Sequence, residues 1–172
     1  NNSSNVPVQV SGLTGEIAVG GANYSSLALK SDGTVWAWGQ GTSGQLGNGA
    51  DDNSNVPVQV SGLTDAIAVA AGYPNGYAIK SDGTVRAWGK GTSGQLGNGA
   101  DNNSNVPVQV SVLTNATAVA GGDSFALALK SDGTVWAWGE GTSGQLGNGA
   151  NNSSNVPVQV SGLTGVTKIG GG

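Results

Sequence analysis

A segment of 50 residues recurs along this chain with no inserted or deleted position. NVPVQVS begins at Asn5, Asn55, Asn105 and Asn155, KSDGTV at Lys30, Lys80 and Lys130, and GTSGQLGNGA at Gly41, Gly91 and Gly141. Residues 1–50 and 51–100 share 34 identical positions and differ at 16. A fixed period of this length marks a repeat architecture, in which each unit buries its apolar faces only against its neighbours. The 172 residues therefore form one array, with periods 1–50, 51–100 and 101–150 and a partial period 151–172.

Within a period, four short runs have strand character. Val6–Val10 is VPVQV, with alternating valines. Pro7 has no N–H to donate, so this run belongs at a sheet edge or starts with its N–H side free. Ile17–Gly21 is IAVGG, with counterparts IAVAA and TAVAG. Small residues there suit close backbone approach at a crowded axis. Leu27–Lys30 is LALK, and Thr34–Trp38 is TVWAW, rich in β-formers. Asp32-Gly33 separates these two runs and recurs at Asp82-Gly83 and Asp132-Gly133, which predicts three hairpins closed by type I′ turns. Residues 39–55 are rich in Gly, Ser, Asn and Asp and predict an ordered loop, with Asn48-Gly49 a tight turn inside it. No run carries a sustained helical period. Short antiparallel strands that must stack to cover their faces predict an all-β fold of four-stranded β-propeller blades.

Composition narrows the function classes. The chain has 32 glycines, only 9% charged residues and a formal net charge of −4. Its six Lys and Arg residues form no stripe, which argues against nucleic-acid binding. No apolar run approaches membrane-spanning length. Without cysteine or histidine there is no disulfide framework, no zinc–thiolate site and no Cys or His nucleophile system. Asp32, Asp82 and Asp132 are turn residues. Glu16 and Glu140 have no acidic counterpart in other periods, so no carboxylate pair repeats. Asp51, Asp52 and Asn53 could offer oxygen ligands, but the fourth copy is Asn151-Asn152, so this is a solvated loop rather than a metal site. The expectation is a chain that is not an enzyme and takes no cofactor. Its low charge and Asn-, Ser-, Thr- and Gly-rich character lean toward a bacterial or extracellular surface setting.

The stretches IAVGG, SSLALKSDGTVWAWGQGTSGQLG and PVQVSGL closely resemble the regulator-of-chromosome-condensation repeat family, across essentially the whole chain. The resemblance implies a propeller whose members have seven blades of about this length. It also implies roles built on protein binding, among them nucleotide exchange on small GTPases, chromatin binding, light sensing and enzyme inhibition. Family members often carry His-Ser before LAL, where this chain has Ser25-Ser26, Asn75-Gly76 and Phe125-Ala126. No period carries an insertion like the exchange factor's catalytic wedge.

The variation inside the array points to a site. The segment before LALK is ANYSSL from Ala22, GYPNGY from Gly72 and GDSFAL from Gly122, between nearly unchanging flanks. Position 40 also varies, as Gln40, Lys90 and Glu140. A constant frame with a variable loop is what a repeat scaffold needs to present different contacts. Tyr24, Tyr73, Tyr77 and Phe125 are expected as exposed anchors for a partner, with Asp123 beside them. Trp38, Trp88 and Trp138 recur before a glycine and are expected in the inter-blade core. Position 36, which is Trp36, Arg86 or Trp136, is expected to be partly exposed, with Arg86 stacked on a neighbouring ring and available to a partner.

Counting four VPVQV, four Gly-rich, three LALK and three TVWAW runs gives 14 strands. Two chains would supply the 28 strands of seven four-stranded blades. Open part-blades at each end predict a homo-oligomer, a two-fold dimer closed by strand exchange. The expected function is a scaffold for protein interaction. The alternative is a self-assembling structural or designed propeller piece with no discrete ligand.

Overall fold

A computed structural model describes residues 4–172. Its twelve strands form three separate four-stranded antiparallel sheets, each in sequence order. The first sheet holds β1 (Glu16–Gly21), β2 (Ser25–Lys30), β3 (Val35–Gly39) and β4 (Ser54–Gln59). The second holds β5 (Ala66–Gly72), β6 (Asn75–Lys80), β7 (Val85–Gly89) and β8 (Ser104–Gln109). The third holds β9 (Ala116–Gly121), β10 (Phe125–Lys130), β11 (Val135–Gly139) and β12 (Ser154–Gln159).

Each blade takes its fourth strand from the NVPVQV segment of the following period, so β3 of the first period pairs with β4 of the second through Trp36↔Gln59 and Ala37↔Val58. This puts Pro57, Pro107 and Pro157 on edge strands, where no ladder N–H is needed. At the other edge β1, β5 and β9 run past one another. Their small residues permit it: a Cβ on Gly121 would stand 2.6 Å from the Gly72 Cα.

The chain forms twelve strands among the described residues, not 14. Residues 6–10 and 167–171 are not strands. A strand is defined by its ladder, and no TVWAW run precedes the first segment, nor does a LALK run follow the second, within these 172 residues. Two copies therefore offer 24 strands from their formed blades, not 28.

The hairpins form where expected, but their turns are not type I′. Gly33 alone of the turn residues has positive φ, at 79°. The Gly33 N–H donates to Lys30 O at 3.0 Å, and the Lys30 N–H to Thr34 O at 3.0 Å. This is a three-residue loop, a type I turn followed by a glycine bulge. Asp32 explains the preference. Its Oδ1 accepts the Thr34 hydroxyl at 2.6 Å and the Thr34 N–H at 3.0 Å. Those two bonds, with the nearby Lys30 ammonium, hold the Asp32 carboxyl below the usual carboxylate range, and Asp82 and Asp132 are held the same way. Gly33→Val is expected to lower stability by more than about 1 kcal/mol, because a β-branched residue resists positive φ. Its Cβ would also stand 2.6 Å from Thr64 O. An unchanged urea midpoint would refute this account of the turn.

Two cores lie between the blades, and they are the same core displaced by one period. The first takes Leu27, Leu29, Val35, Ala37, Leu46 and Val60 from the leading side and Leu63, Ala66, Ala78 and Trp88 from the following side. The second takes Tyr77, Ile79, Val85, Ala87, Leu96 and Val110, then Leu113, Ala116, Ala128 and Trp138. Trp88 and Trp138 are fully buried, as expected. Trp88 Nε1 donates to Gln45 O at 3.0 Å, and Trp138 Nε1 to Gln95 O at 3.0 Å. Each indole lies against a glycine, Gly47 or Gly97, where a Cβ would stand 2.8 Å from the ring. Trp38 departs from the expectation. It is half-buried and belongs to neither core.

Candidate interaction surface

Each blade has two rims. One carries the Asp-Gly turns. The other carries the loops at 22–24, 73–74 and 122–124 and the long loops at 40–53, 90–103 and 140–153. The variable positions converge on this second rim through a repeated backbone bond. Gln40 N–H donates to Tyr24 O at 2.7 Å, Lys90 N–H to Pro74 O at 3.3 Å, and Glu140 N–H to Ser124 O at 2.8 Å. Gln40, Lys90 and Glu140 thus stand beside the variable loops of their own blades.

The loops also join across blades. Tyr24 is 64% exposed, and its ring meets Tyr73 edge-on at 5.9 Å. The Tyr73 N–H donates to Gly122 O at 3.1 Å, and the Ser124 N–H to Tyr73 O at 3.2 Å. Asp123 is exposed beside that bridge. Tyr24, Tyr73 and Asp123 therefore form a ridge over three blades. A shallow groove below it is lined by Gly21, Asn23, Gly72, Gly122 and Asp123. Further out a polar groove repeats between blades: Thr42, Ser43 and Asp51 face Asn103 and Asn105, and Thr92, Ser93 and Asp101 face Ser153 and Asn155 with Glu140.

Charge separates the rims. The loop rim holds Asp51, Asp52, Asp101, Asp123 and Glu140 against Lys90, which equals the net −4 of the whole chain. The other Lys and Arg residues balance the other acids in number. At the turn rim Lys30, Lys80 and Lys130 lie 3.9, 3.7 and 3.7 Å from Asp32, Asp82 and Asp132. None of the loop-rim carboxylates makes a salt bridge among the described residues.

Two expected contact residues lie elsewhere, and Phe125 is less exposed than expected. Tyr77 is not exposed but fully buried, because it occupies the Leu27 column of the inter-blade core. Its ring meets Trp138 edge-on at 6.2 Å, and its hydroxyl donates to Gln95 O at 3.1 Å. Phe125 begins β10 and is half-buried, its ring lying over Gly122. Arg86 sits on β7 toward the turn rim, and no aromatic ring stacks on it among the described residues. At the same position in the other blades, Trp36 and Trp136 instead take Lys30 and Lys130 over their rings, at 5.8 and 5.5 Å. Asn75 escaped the sequence reading. It is buried, and its Nδ2 donates to the Trp88 and Lys90 carbonyls, pinning the second loop to its rim.

Residues 32–78, 82–129 and 132–172 each match the regulator of chromosome condensation (RCC1) repeat. The chain belongs to the RCC1 repeat family. A second description of the same repeat matches 16–45, 66–95 and 116–145, which span the first three strands of each blade. The human E3 ubiquitin-protein ligase HERC2 is 39% identical over 51 residues, covering 27% of this chain and 1% of that protein. Human WBSCR16 superposes with a TM-score of 0.73 at 27% identity, over 85% of this chain and 38% of that one. Yeast RCC1 (Prp20), in a structure with Kap60, superposes with a TM-score of 0.79 at 19% identity, over 94% of this chain and 41% of that one. This RCC1-repeat chain thus spans about two fifths of those solved structures, and its three sheets match their propeller blades.

Proposed function

We propose that this RCC1-repeat array is a non-enzymatic scaffold for protein interaction, with the loop rim as its contact surface. One observation carries the reading: of the 16 positions that differ between the first two periods, 22–26 and 40 are brought together on the loop rim by the backbone bonds to Tyr24, Pro74 and Ser124. The Tyr24–Tyr73 pair supplies aromatic anchors of the kind that dominate contact energy. The acidic balance of that rim favours a partner with a basic surface, drawn in over a range of about 8–10 Å. Yeast Prp20p, which has this fold, binds Gsp1p and histones, which makes protein binding a use of it.

The test is affinity capture by the wild-type array and by a variant in which 22–24 and 72–74 are both replaced by the 122–124 sequence. Proteins held by the wild type should be lost from the variant, kept by Lys30→Ala at the other rim, and released by salt. Equal retention by all three arrays would end this reading.

A further inference from the structure

We propose that Asn48 and Asn98 are latent modification sites, each set up to cyclise onto the glycine that follows it and each guarded by the joint between two blades.

The sequence supplies the reacting pair. Asn48-Gly49 and Asn98-Gly99 place a side-chain amide before a residue that has no side chain to shield its nitrogen. Such a pair reacts when the glycine nitrogen loses its proton and attacks the asparagine Cγ. The new N–Cγ bond closes a five-membered succinimide, the Cγ–Nδ2 bond breaks, and Nδ2 leaves as ammonia with the displaced proton. Water then opens the ring at either carbonyl, giving aspartate or isoaspartate.

The loop presents the electrophile. Asn48 Oδ1 accepts the Ala50 N–H at 3.2 Å, and Asn98 Oδ1 the Ala100 N–H at 3.1 Å. Each bond folds the side chain back along the glycine peptide and draws electron density from Cγ. Gly49 and Gly99 are exposed, so water reaches both sites.

The joint withholds the nucleophile. The Gly49 N–H donates to Asn105 O on the second blade at 2.8 Å, and the Gly99 N–H to Asn155 O on the third at 2.8 Å. A proton held in that bond is not yielded to base, so the reaction waits on local opening of the joint. The first joint has an added clasp, because Asn105 Nδ2 donates to Gly49 O at 3.2 Å and to Asp51 Oδ2 at 3.4 Å. Asn75-Gly76 is guarded differently, with Asn75 Nδ2 bonded to the Trp88 and Lys90 carbonyls inside a single blade.

Conversion runs one way and changes the loop rim. Either product adds a negative charge three residues before Asp51 or Asp101. Isoaspartate also lengthens the main chain by one methylene next to the residue that meets the following blade. A joint that has opened is thereby marked and weakened against closing again.

Incubation of the full chain in mildly alkaline buffer, followed by tryptic mass mapping, tests the proposal. Cleavage places Asn48 in 31–80 and Asn98 in 91–130, and fragment ions separate Asn48 from Asn75. Both sites should convert at least about tenfold more slowly in the folded array than in a synthetic peptide of residues 41–55. Asn105→Ala, which removes the clasp of the first joint, should speed Asn48 severalfold and leave Asn98 unchanged. Trp138→Phe, which loses the indole bond of the second joint, should do the reverse. Circular dichroism confirms that both variants are folded, and the comparison of wild type with peptide needs neither. Conversion of the folded wild type at the peptide's rate would overturn the proposal. So would folded variants that speed both sites equally or neither.

Discussion

Trp88→Ala is expected to cost about 3–5 kcal/mol, the range for truncating a buried aromatic. The indole fills a closed joint between two blades, and its removal also strands the Gln45 carbonyl that accepts its N–H. Neighbouring backbone limits collapse of the cavity, since Gly47 is already in contact with the ring and is held by its own turn. Arg86→Ala, two residues earlier on the same strand, should change stability by no more than about 0.5 kcal/mol. Trp38→Ala in the monomer should also cost far less than Trp88→Ala, because Trp38 packs in neither core. Urea unfolding followed by far-ultraviolet circular dichroism compares all three. Equal losses at positions 38 and 88 would sink the joint described for Trp88.

Tyr77→Ala should be of similar size, about 3–5 kcal/mol, for the same reason. Tyr77→Phe should cost about 1 kcal/mol, the net worth of a buried hydrogen bond, here the one to Gln95 O. Tyr24→Ala, on the loop rim, should stay within about 0.5 kcal/mol. Titration gives an independent readout. Burial pushes the Tyr77 phenol far up. A folded-state value raised above the unfolded one leaves stability intact below about pH 10, the unfolded tyrosine value, and erodes it above. Tyr77 should therefore ionise only as the array unfolds. A large loss from Tyr24→Ala, or a mild one from Tyr77→Ala, would reverse the assignment of core and rim.

Much of the architecture was legible because repetition turns one weak signal into several. The Asp-Gly pairs located the hairpins, and the alternation around Pro57 located the outer edge strand. The turn type was not legible, because Asp-Gly suits two loop geometries and the choice rests on the Thr34 bonds to Asp32. Tyr77 was misplaced because aromatic character outweighed register. It aligns with Leu27 and Leu127, and that column alone marks it as core. Position 40 was singled out by its variation, but its place beside the loops depends on a backbone bond that side chains do not announce. The grooves between blades were invisible, since they bring together residues such as Asp51 and Asn105 from different periods. Arg86 shows the same limit, because one sequence shows that a residue varies and not which end of a strand it occupies.

The fixed spacing of 50 residues bears on how such an array changes length. Because no position is inserted or deleted between copies, a recombination between them at any point in the period rejoins in register. Each 50-residue unit gained would bring one outer strand for the blade before it and three strands for its own, so no breakpoint leaves an incomplete blade. Every joint uses the same columns, so a lengthened array needs no compensating substitution. Copy number is then free to drift by recombination, while point mutation works separately on the loops of each copy.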